Sequence, residues 1–355
     1  MLNSSLGQWL DAQADHLDCG DCDAEPVLAR LAAADALGLG VDKGLRGDAG
    51  GVVEALEGIA EVAGHSLTAA FVFWGQRAFI EYLLQSDNAA LRERLLPDLL
   101  AGRLAGATGL SNAMKYLSGI EALGLEAESH AQGWRLKGRL PWVTNLRKSG
   151  FVVAAAIDLP GRGPFVAALP GELPGLERSE DLALLGLQSS NTAALDIRDA
   201  SLGREWLLAE DARRYLPQVR PAFLGLQCGM SIGLARRALR EVEAHLGGSR
   251  SVLRAERAAL VDDLRQAGKR LEEGLVAGRF GTRPADLFGL RIRLAEIVAA
   301  AVQLELQASG GKAYLQAHGG GFARRWRESA FVPVVTPSLV QLRTELARQA
   351  GEDAA

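Results

Sequence analysis

The spacing of apolar residues changes twice along this chain, and those changes limit the folds it can adopt. Before about residue 105 apolar residues recur every three to four positions, and 66–84, "SLTAAFVFWGQRAFIEYLL", is typical of a buried helix. Between about 105 and 208 they alternate, as in "LEAESHAQGWRLKGRLPWVT", where two runs flank a turn. Helical spacing then returns. The pattern predicts an α+β, mainly α fold: an N-terminal helical domain (1–104), a middle β domain (105–208) and a C-terminal helical bundle (209–355).

The charge pattern excludes several classes of partner. The 39 Lys and Arg residues and 43 Asp and Glu residues are well mixed and leave a net charge of -4. A basic stripe or an acidic tail is not visible, which argues against nucleic acid or an anionic membrane as the main partner. The N-terminus lacks a targeting pattern, and charged residues interrupt each apolar run before it reaches the length of a membrane span. We expect a cytoplasmic protein.

The cysteines favour structural positions. Cys19 and Cys22 form the pair in "DCGDCD", but a zinc site needs four ligands and the sequence has no second pair. We expect two thiols in a loop between helices. Cys228 lies on an apolar helical face and is expected in the core.

The elements within the three regions can also be predicted. The segment "DNAALRERLLPDLLAG" predicts a short helix with Asp87 or Asn88 as its cap and Gly102 just past its end. Four to seven strands are expected in the middle region. Leucines from Leu253 to Leu275 recur at intervals of seven and four, so this helix is expected to pack along a partner helix.

Four stretches, taken in order, resemble the acyl-CoA dehydrogenase family. They are "GWRLKGRLPWVTN", "LGLQSSNTAALDIRDASLGREWLL", "VRPAFLGLQCGMSIGLARRAL" and "ASGGKAYLQAHGGGFARRWRESAF". Each is weak alone, but together they cover some 250 residues in the family order. The resemblance implies a helical domain, a β-barrel-like domain and a four-helix bundle, and assembly into a homodimer or homotetramer.

The resemblance also implies a flavin site. Trp142 would lie beside the isoalloxazine ring of FAD and Thr144 would reach its N5 region; without the resemblance, Trp142 would be read as a core residue and Thr144 as a strand former. The family loop that holds the pyrimidine is altered here to "GLSNAMKYLSG", in which Ser111 stands for a threonine. The remaining implied contacts are Arg250, Gly310 and Gly311 for the FAD of a neighbouring subunit, and Arg220 for the substrate.

The usual catalytic carboxylate is missing. Removal of the α-proton of an acyl thioester needs a base, and the family takes a Glu from the loop that reads "RESAFVPVVTPSLVQL" here. Either Thr336 or Val335 occupies that position, and Val219 occupies the position used by a minority of the family. Glu328 is expected to pair with an arginine in 324–327. His65 and His318 are capable bases in principle, although each is more typical of a loop or a helix end.

Three functions remain open from the sequence. The first is an FAD-dependent oxidoreductase of the acyl-CoA dehydrogenase family, acting on an acyl-CoA-like or other small substrate. The second is a two-component flavin monooxygenase on the same fold, to which a reductase supplies reduced FMN or FAD. The third is a non-catalytic relative that keeps the scaffold for binding or assembly.

Overall fold

The N-terminal part of the chain is helical and is organised around one buried helix. The computed structural model describes residues 4–22, 24–41 and 49–352. The helix α4 is buried along its whole length and packs against α1, α3 and α5. Asn88 caps α5 by accepting from Leu91 N at 3.0 Å, as one of the two predicted caps. The helices are α1 (Ser4–Cys19), α2 (Glu25–Ala33), α3 (Ala49–Ala63), α4 (Leu67–Leu84) and α5 (Ala89–Leu100).

The middle of the chain forms two four-stranded sheets. Their strand orders are β1-β4-β5-β8 and β2-β3-β7-β6, and the pair β1–β4 is parallel. The described residues contain eight strands instead of the expected four to seven, because β6 and β8 are three-residue strands too short to show an alternating pattern. The elements are β1 (Ala105–Thr108), α6 (Ser111–Leu117), β2 (Leu125–His130), β3 (Gly133–Val143), β4 (Phe151–Ile157), β5 (Phe165–Pro170), β6 (Leu176–Arg178), β7 (Ala193–Gly203) and β8 (Leu207–Ala209).

The C-terminal part is a bundle centred on one long helix. The helix α7 packs against α3, α4, α8 and α10, and the indole nitrogen of Trp74 on α4 donates to the Phe223 carbonyl of α7 at 3.1 Å. Cys228 is fully buried on α7, as expected. The helices are α7 (Ala212–Ala244), α8 (Arg254–Val276), α9 (Arg279–Thr282), α10 (Pro284–Ser309), α11 (Gly320–Phe331) and α12 (Leu339–Glu352).

A buried glutamine joins the helical part to both sheets. Gln76 on α4 donates to the carbonyls of Leu99 and Leu104, each at 2.9 Å. Its side-chain oxygen accepts from Gly106 N at 2.6 Å and from the Asn145 amide at 3.0 Å. Asn145, in the left-handed region with φ 63°, lies two residues beyond β3. Since Gln76 bonds to the backbone of Leu99, Leu104 and Gly106 and to the side-chain amide of Asn145, it helps to fix where the chain leaves β3.

No helix within the described residues has the length and apolar character needed to cross a bilayer.

Candidate functional site at the end of the third strand

A bulge at the end of β3 turns Trp142 out of the sheet. Leu140 pairs with Leu195 and Val143 with Ala193, so two residues of β3 lie opposite a single residue of β7. A bulge of this kind bends a strand and re-aims its side chains. Trp142 is 62% exposed as a result, and the interpretation of Trp142 as a core residue is wrong.

Thr144 ends a chain of three buried hydroxyl groups. Its Oγ1 lies 3.0 Å from Oγ1 of Thr192, which in turn lies 2.8 Å from Oγ of Ser190. Each hydroxyl has a single proton, so if Ser190 donates to Thr192 and Thr192 donates to Thr144, the proton of Thr144 is left for another acceptor. The backbone holds this arrangement, because Asn145 N donates to the Ser190 carbonyl at 3.0 Å.

The loop that carries Ser111 is folded as a short helix. Ser111 is the first residue of α6 and is half-buried. Asn112 ties the loop together, since its amide nitrogen donates to Glu121 at 2.7 Å and its oxygen accepts from Gly124 N at 2.7 Å. The next turns of α6 reach a cavity that α7, α10 and α12 also line.

This cavity, which we call the Arg220 cavity, is small. Its volume is about 20 Å³, enough for roughly one water molecule. Its lining residues come from five segments and are Met114, Lys115, Ser118, Ile120, Arg220, Phe288, Pro337, Gln341, Leu342 and Glu345.

Arg220 is a guanidinium without a hydrogen-bond acceptor among the described residues. It lies over the ring of Phe288, with 5.5 Å between its guanidinium carbon and the ring centroid. Burial lowers its pKa and the charge of Glu345 acts in the opposite direction, yet the two groups form no ion pair. A partly desolvated guanidinium with unused N–H groups favours a ligand that brings oxygen acceptors.

The positions where the family places its base are neutral, and both are held by backbone contacts. Val335 is buried, and the carbonyl of Thr336 accepts from the Gln227 amide at 3.0 Å. Arg291, fully buried on α10, fastens the same loop: it donates to Gln227 Oε1 at 2.9 Å and to the Val332 carbonyl at 2.6 Å. Val219 is also buried. These contacts hold the loop in place, but the loop brings no carboxylate to the Arg220 cavity.

Glu345 is the carboxylate that does line this cavity, and the sequence interpretation missed it. It is 9% exposed and lies on α12, beyond the loop in which the sequence predicts the base. A capping box was the available signal for the direction of α12: Ser338 N donates to Gln341 Oε1 at 2.7 Å, and Gln341 N to Ser338 Oγ at 3.3 Å. Gln341 and Glu345 are one turn apart, so they share a face of the helix.

The remaining acids and histidines lie elsewhere. Glu328 accepts from Leu67 N at 3.0 Å and lies 3.4 Å from the Arg324 guanidinium, which confirms its expected ion pair. Burial raises the pKa of Glu328 to about 7. His65 lies 2.9 Å from a carboxylate oxygen of Asp11, and His318 lines a separate polar cavity at the end of α10. Neither histidine lines the Arg220 cavity.

Arg250 and Gly310 lie together at another place on the bundle. Gly310 has φ 65°, and a Cβ added to it would lie 3.1 Å from the Arg250 guanidinium. Gly311 has open space where a side chain would be. Arg250 is exposed in a short helical segment before α8. The structure thus brings Arg250 and Gly310 together, and the next residue, Gly311, leaves its backbone open to a ligand.

The two N-terminal thiols occupy the end of α1. Cys19 is the last residue of α1 and is exposed, Cys22 follows in a turn, and neither forms a disulfide. Among the residues that the structure describes, no group of three or more His, Cys, Asp or Glu side chains is arranged to hold a metal ion.

Comparison with known proteins finds partial matches in sequence and nearly full-length matches in fold. No protein-family model matches the chain. Part of it is 30% identical over 128 residues to the mitochondrial isovaleryl-CoA dehydrogenase of Pongo abelii, and part is 27% identical over 135 residues to that of Bos taurus. Each match covers 35% of this chain and 30% of the relative, so the aligned part spans less than a third of those proteins.

Solved structures match nearly end to end. The glutaryl-CoA dehydrogenase complex with glutaryl-CoA has a TM-score of 0.80 at 17% identity, over 99% of this chain and 96% of that one. Butyryl-CoA dehydrogenase from Megasphaera elsdenii has 0.79 at 16%, over 98% and 95%. KijD3 in complex with FMN and a dTDP-linked amino keto sugar has 0.81 at 18%, over 98% and 91%.

Proposed function

On an acyl-CoA dehydrogenase fold, we propose that this chain is a flavin-dependent oxidoreductase that binds FAD against the end of β3. The observation that carries the proposal is the exposed indole of Trp142 beside the hydroxyl of Thr144, at a bulge that presents the indole to the outside. A large exposed aromatic side chain next to a hydroxyl group favours a flat, polar-edged ligand.

The residues present fit such a cofactor. The indole of Trp142 offers a flat face for the isoalloxazine, and the hydroxyl of Thr144 can donate to a ring acceptor when Ser190 donates to Thr192 and Thr192 donates to Thr144. Bound flavin supplies two-electron chemistry that the side chains of the protein lack. Ser111, at the start of α6, is the third residue that we assign to this cofactor.

The other end of the cofactor is assigned to a second copy of the chain. Arg250 can pair with a pyrophosphate, and the bare backbone at Gly310 and Gly311 allows close approach of the adenosine part. These residues lie in the bundle, apart from the strand end, so the site is completed in a homodimer or homotetramer.

Arg220 is proposed to hold the substrate. Its guanidinium lacks a hydrogen-bond acceptor in the described residues and stacks on Phe288, so a substrate oxygen would satisfy it. A small carbonyl compound, such as an acyl thioester, has that chemistry. Because the volume of the Arg220 cavity is only about 20 Å³, binding must displace the long side chains of Met114, Lys115 or Gln341.

A two-component flavin monooxygenase is the second candidate. Two neutral residues at the usual base position, the buried Val335 and the half-buried Thr336, favour it, since the reaction of reduced flavin with oxygen needs no α-proton acceptor there. The fold neighbour KijD3, solved with FMN, adds support. Oxygen consumption with chemically reduced FMN or FAD distinguishes the two candidates.

The proposal is tested by an absorption spectrum of the purified protein between about 300 and 550 nm, before and after addition of FAD and desalting. We expect a flavin band that survives desalting, and a loss of about tenfold or more in FAD affinity for Trp142→Ala and for Thr144→Val. Trp326→Ala is the matched control, because Trp326 is also exposed, at 42%, but lies on α11. A colourless protein that leaves added FAD unperturbed refutes the proposal and favours the non-catalytic reading.

A further inference from the structure

The Arg220 cavity contains a carboxylate although the loop beside it has none. Pro337, next to the neutral position Thr336, lines the cavity, and Glu345 reaches the same cavity from α12. Among the described residues Glu345 is the one acid in the lining. Arg220 lines the same cavity, and its charge acts on Glu345 although the two groups form no ion pair. A proton acceptor and a cationic donor therefore line one small space.

The structure holds Glu345 in this place by side-chain contacts. Arg348 donates to both of its oxygens, at 2.7 and 3.1 Å, and Gln349 donates to Oε1 at 2.8 Å. The capping box at Ser338 sets the direction of α12 immediately after the loop. The direction of α12, and with it the position of Glu345, is therefore set where the loop with Val335 and Thr336 ends.

Glu345 is present in the form that accepts a proton. The hydrogen bonds from Arg348, supported by Gln349 and by the charge of Arg220, hold its pKa below the usual range, while burial acts in the opposite direction. Exclusion of water by a ligand and engagement of Arg220 would both raise that pKa and make the carboxylate a stronger base.

We propose that Glu345 is the catalytic base of this site and that Arg220 stabilises the resulting oxyanion. The inference rests on the proposed function, which supplies a carbonyl substrate with an acidic α C–H bond. That bond breaks, the proton forms a new O–H bond on Glu345, and the electron pair moves onto the carbonyl oxygen as an enolate. The guanidinium of Arg220 donates to this oxygen. In deuterium oxide the exchanged carboxyl returns a deuteron to the α carbon.

Exchange of the α-proton tests the proposal without any redox turnover. Butyryl-CoA is incubated with the purified protein in deuterium oxide, and its mass gain is followed over time. We expect exchange that rises with pH as Glu345 ionises and then levels off. Glu345→Gln keeps the shape of the side chain and should slow exchange about 100-fold or more, whereas Arg220→Lys should slow it less.

Two further variants separate position from charge. The double variant Gln341→Glu, Glu345→Gln keeps the net charge of the cavity and moves the carboxylate one turn along α12. This variant should also abolish exchange of the α-proton. Adding Thr336→Glu to Glu345→Gln places a carboxylate on the loop and should restore part of the rate. Glu296→Gln is the control, because Glu296 contacts Arg343 of α12 at 3.4 Å but does not line the cavity.

The outcomes are distinguishable from failure of the proposed function. Flavin absorbance and circular dichroism are recorded on each sample, so loss of folding or of flavin is seen directly. A flavin-containing protein in which Glu345→Gln exchanges as fast as the wild type overturns the assignment of the base and leaves the flavin proposal standing. A flavin-containing wild type without exchange overturns it equally. Exchange that is lost in the two Glu345 variants and restored by Thr336→Glu supports it.

Discussion

The buried carboxyl of Glu328 makes a quantitative prediction about stability and pH. Burial raises its pKa from the ordinary value of 4.5 to about 7, although Arg324 and Leu67 N act in the opposite direction. The folded protein therefore holds this proton more tightly than the unfolded chain. Stability from this group is fully present below about pH 4.5 and is lost as pH rises to about 7.

The size of the effect follows from the two pKa values. At about 1.4 kcal/mol for each pH unit between them, the full loss is about 3 kcal/mol, and about 2 kcal/mol of it falls between about pH 5 and pH 7.5. Glu328→Gln keeps an oxygen for Leu67 N but cannot titrate, so its free energy of unfolding should lack this decrease. Other titrating groups contribute equally to both proteins and cancel in the difference.

The measurement is urea unfolding of the wild type and Glu328→Gln at both pH values. Glu180→Gln serves as a control, because Glu180 is exposed and Lys148 holds its pKa below the range of the experiment. If wild type and Glu328→Gln lose the same free energy of unfolding between the two pH values, the carboxyl of Glu328 does not titrate in this window and the reasoning is refuted.

Two other changes test packing and polar contacts, each by urea unfolding. Gly233→Ala should destabilise the protein by more than about 1 kcal/mol, because a Cβ there would lie 2.0 Å from the Ala60 carbonyl oxygen of α3. The matched change Gly268→Ala, on α8 with nothing within 4 Å, should instead stabilise by up to about 1 kcal/mol; equal effects would contradict the close approach. Gln76→Ala should cost about 3 kcal/mol or more, because it leaves buried carbonyls and amides without partners. Gln85→Ala, at the half-buried C-cap of α4, should change stability by less than about 0.5 kcal/mol, and a similar loss in both variants would count against the Gln76 network.

The helical and strand regions could be predicted because their apolar patterns are long. The helix 66–84 is apolar on most sides and lies in the centre of the helical part, and Asn88 was one of the two predicted caps. The tripeptide strands β6 and β8 are too short for any periodicity, so the number of strands was underestimated. The acyl-CoA dehydrogenase resemblance predicted the fold, and the fold is confirmed.

The site was less predictable, since its geometry depends on contacts between distant segments. The exposure of Trp142 depends on a bulge that appears when β3 is paired with β7. Glu345 is a candidate because the fold brings α12 to the cavity that Arg220 lines, and Arg220 lies 125 positions earlier in the sequence. The sequence of the loop at Val335 and Thr336 does not indicate Glu345, because the carboxylate reaches the cavity from the helix that follows the loop.

The buried carboxylate of Asp18 has a consequence for synthesis of the protein on the ribosome. Asp18 accepts from Leu187 N at 2.9 Å and from Arg327 Nε at 2.8 Å, contacts that span 169 and 309 residues of sequence. At about 5 to 20 residues per second, Arg327 is made roughly 15 to 60 s after Asp18. For that time one of the two contacts that hold this buried carboxylate is missing, although α1 can already pack against α4. The helix α1 is therefore fixed in two steps, first on α4 and then on α11 through Asp18 and Arg327.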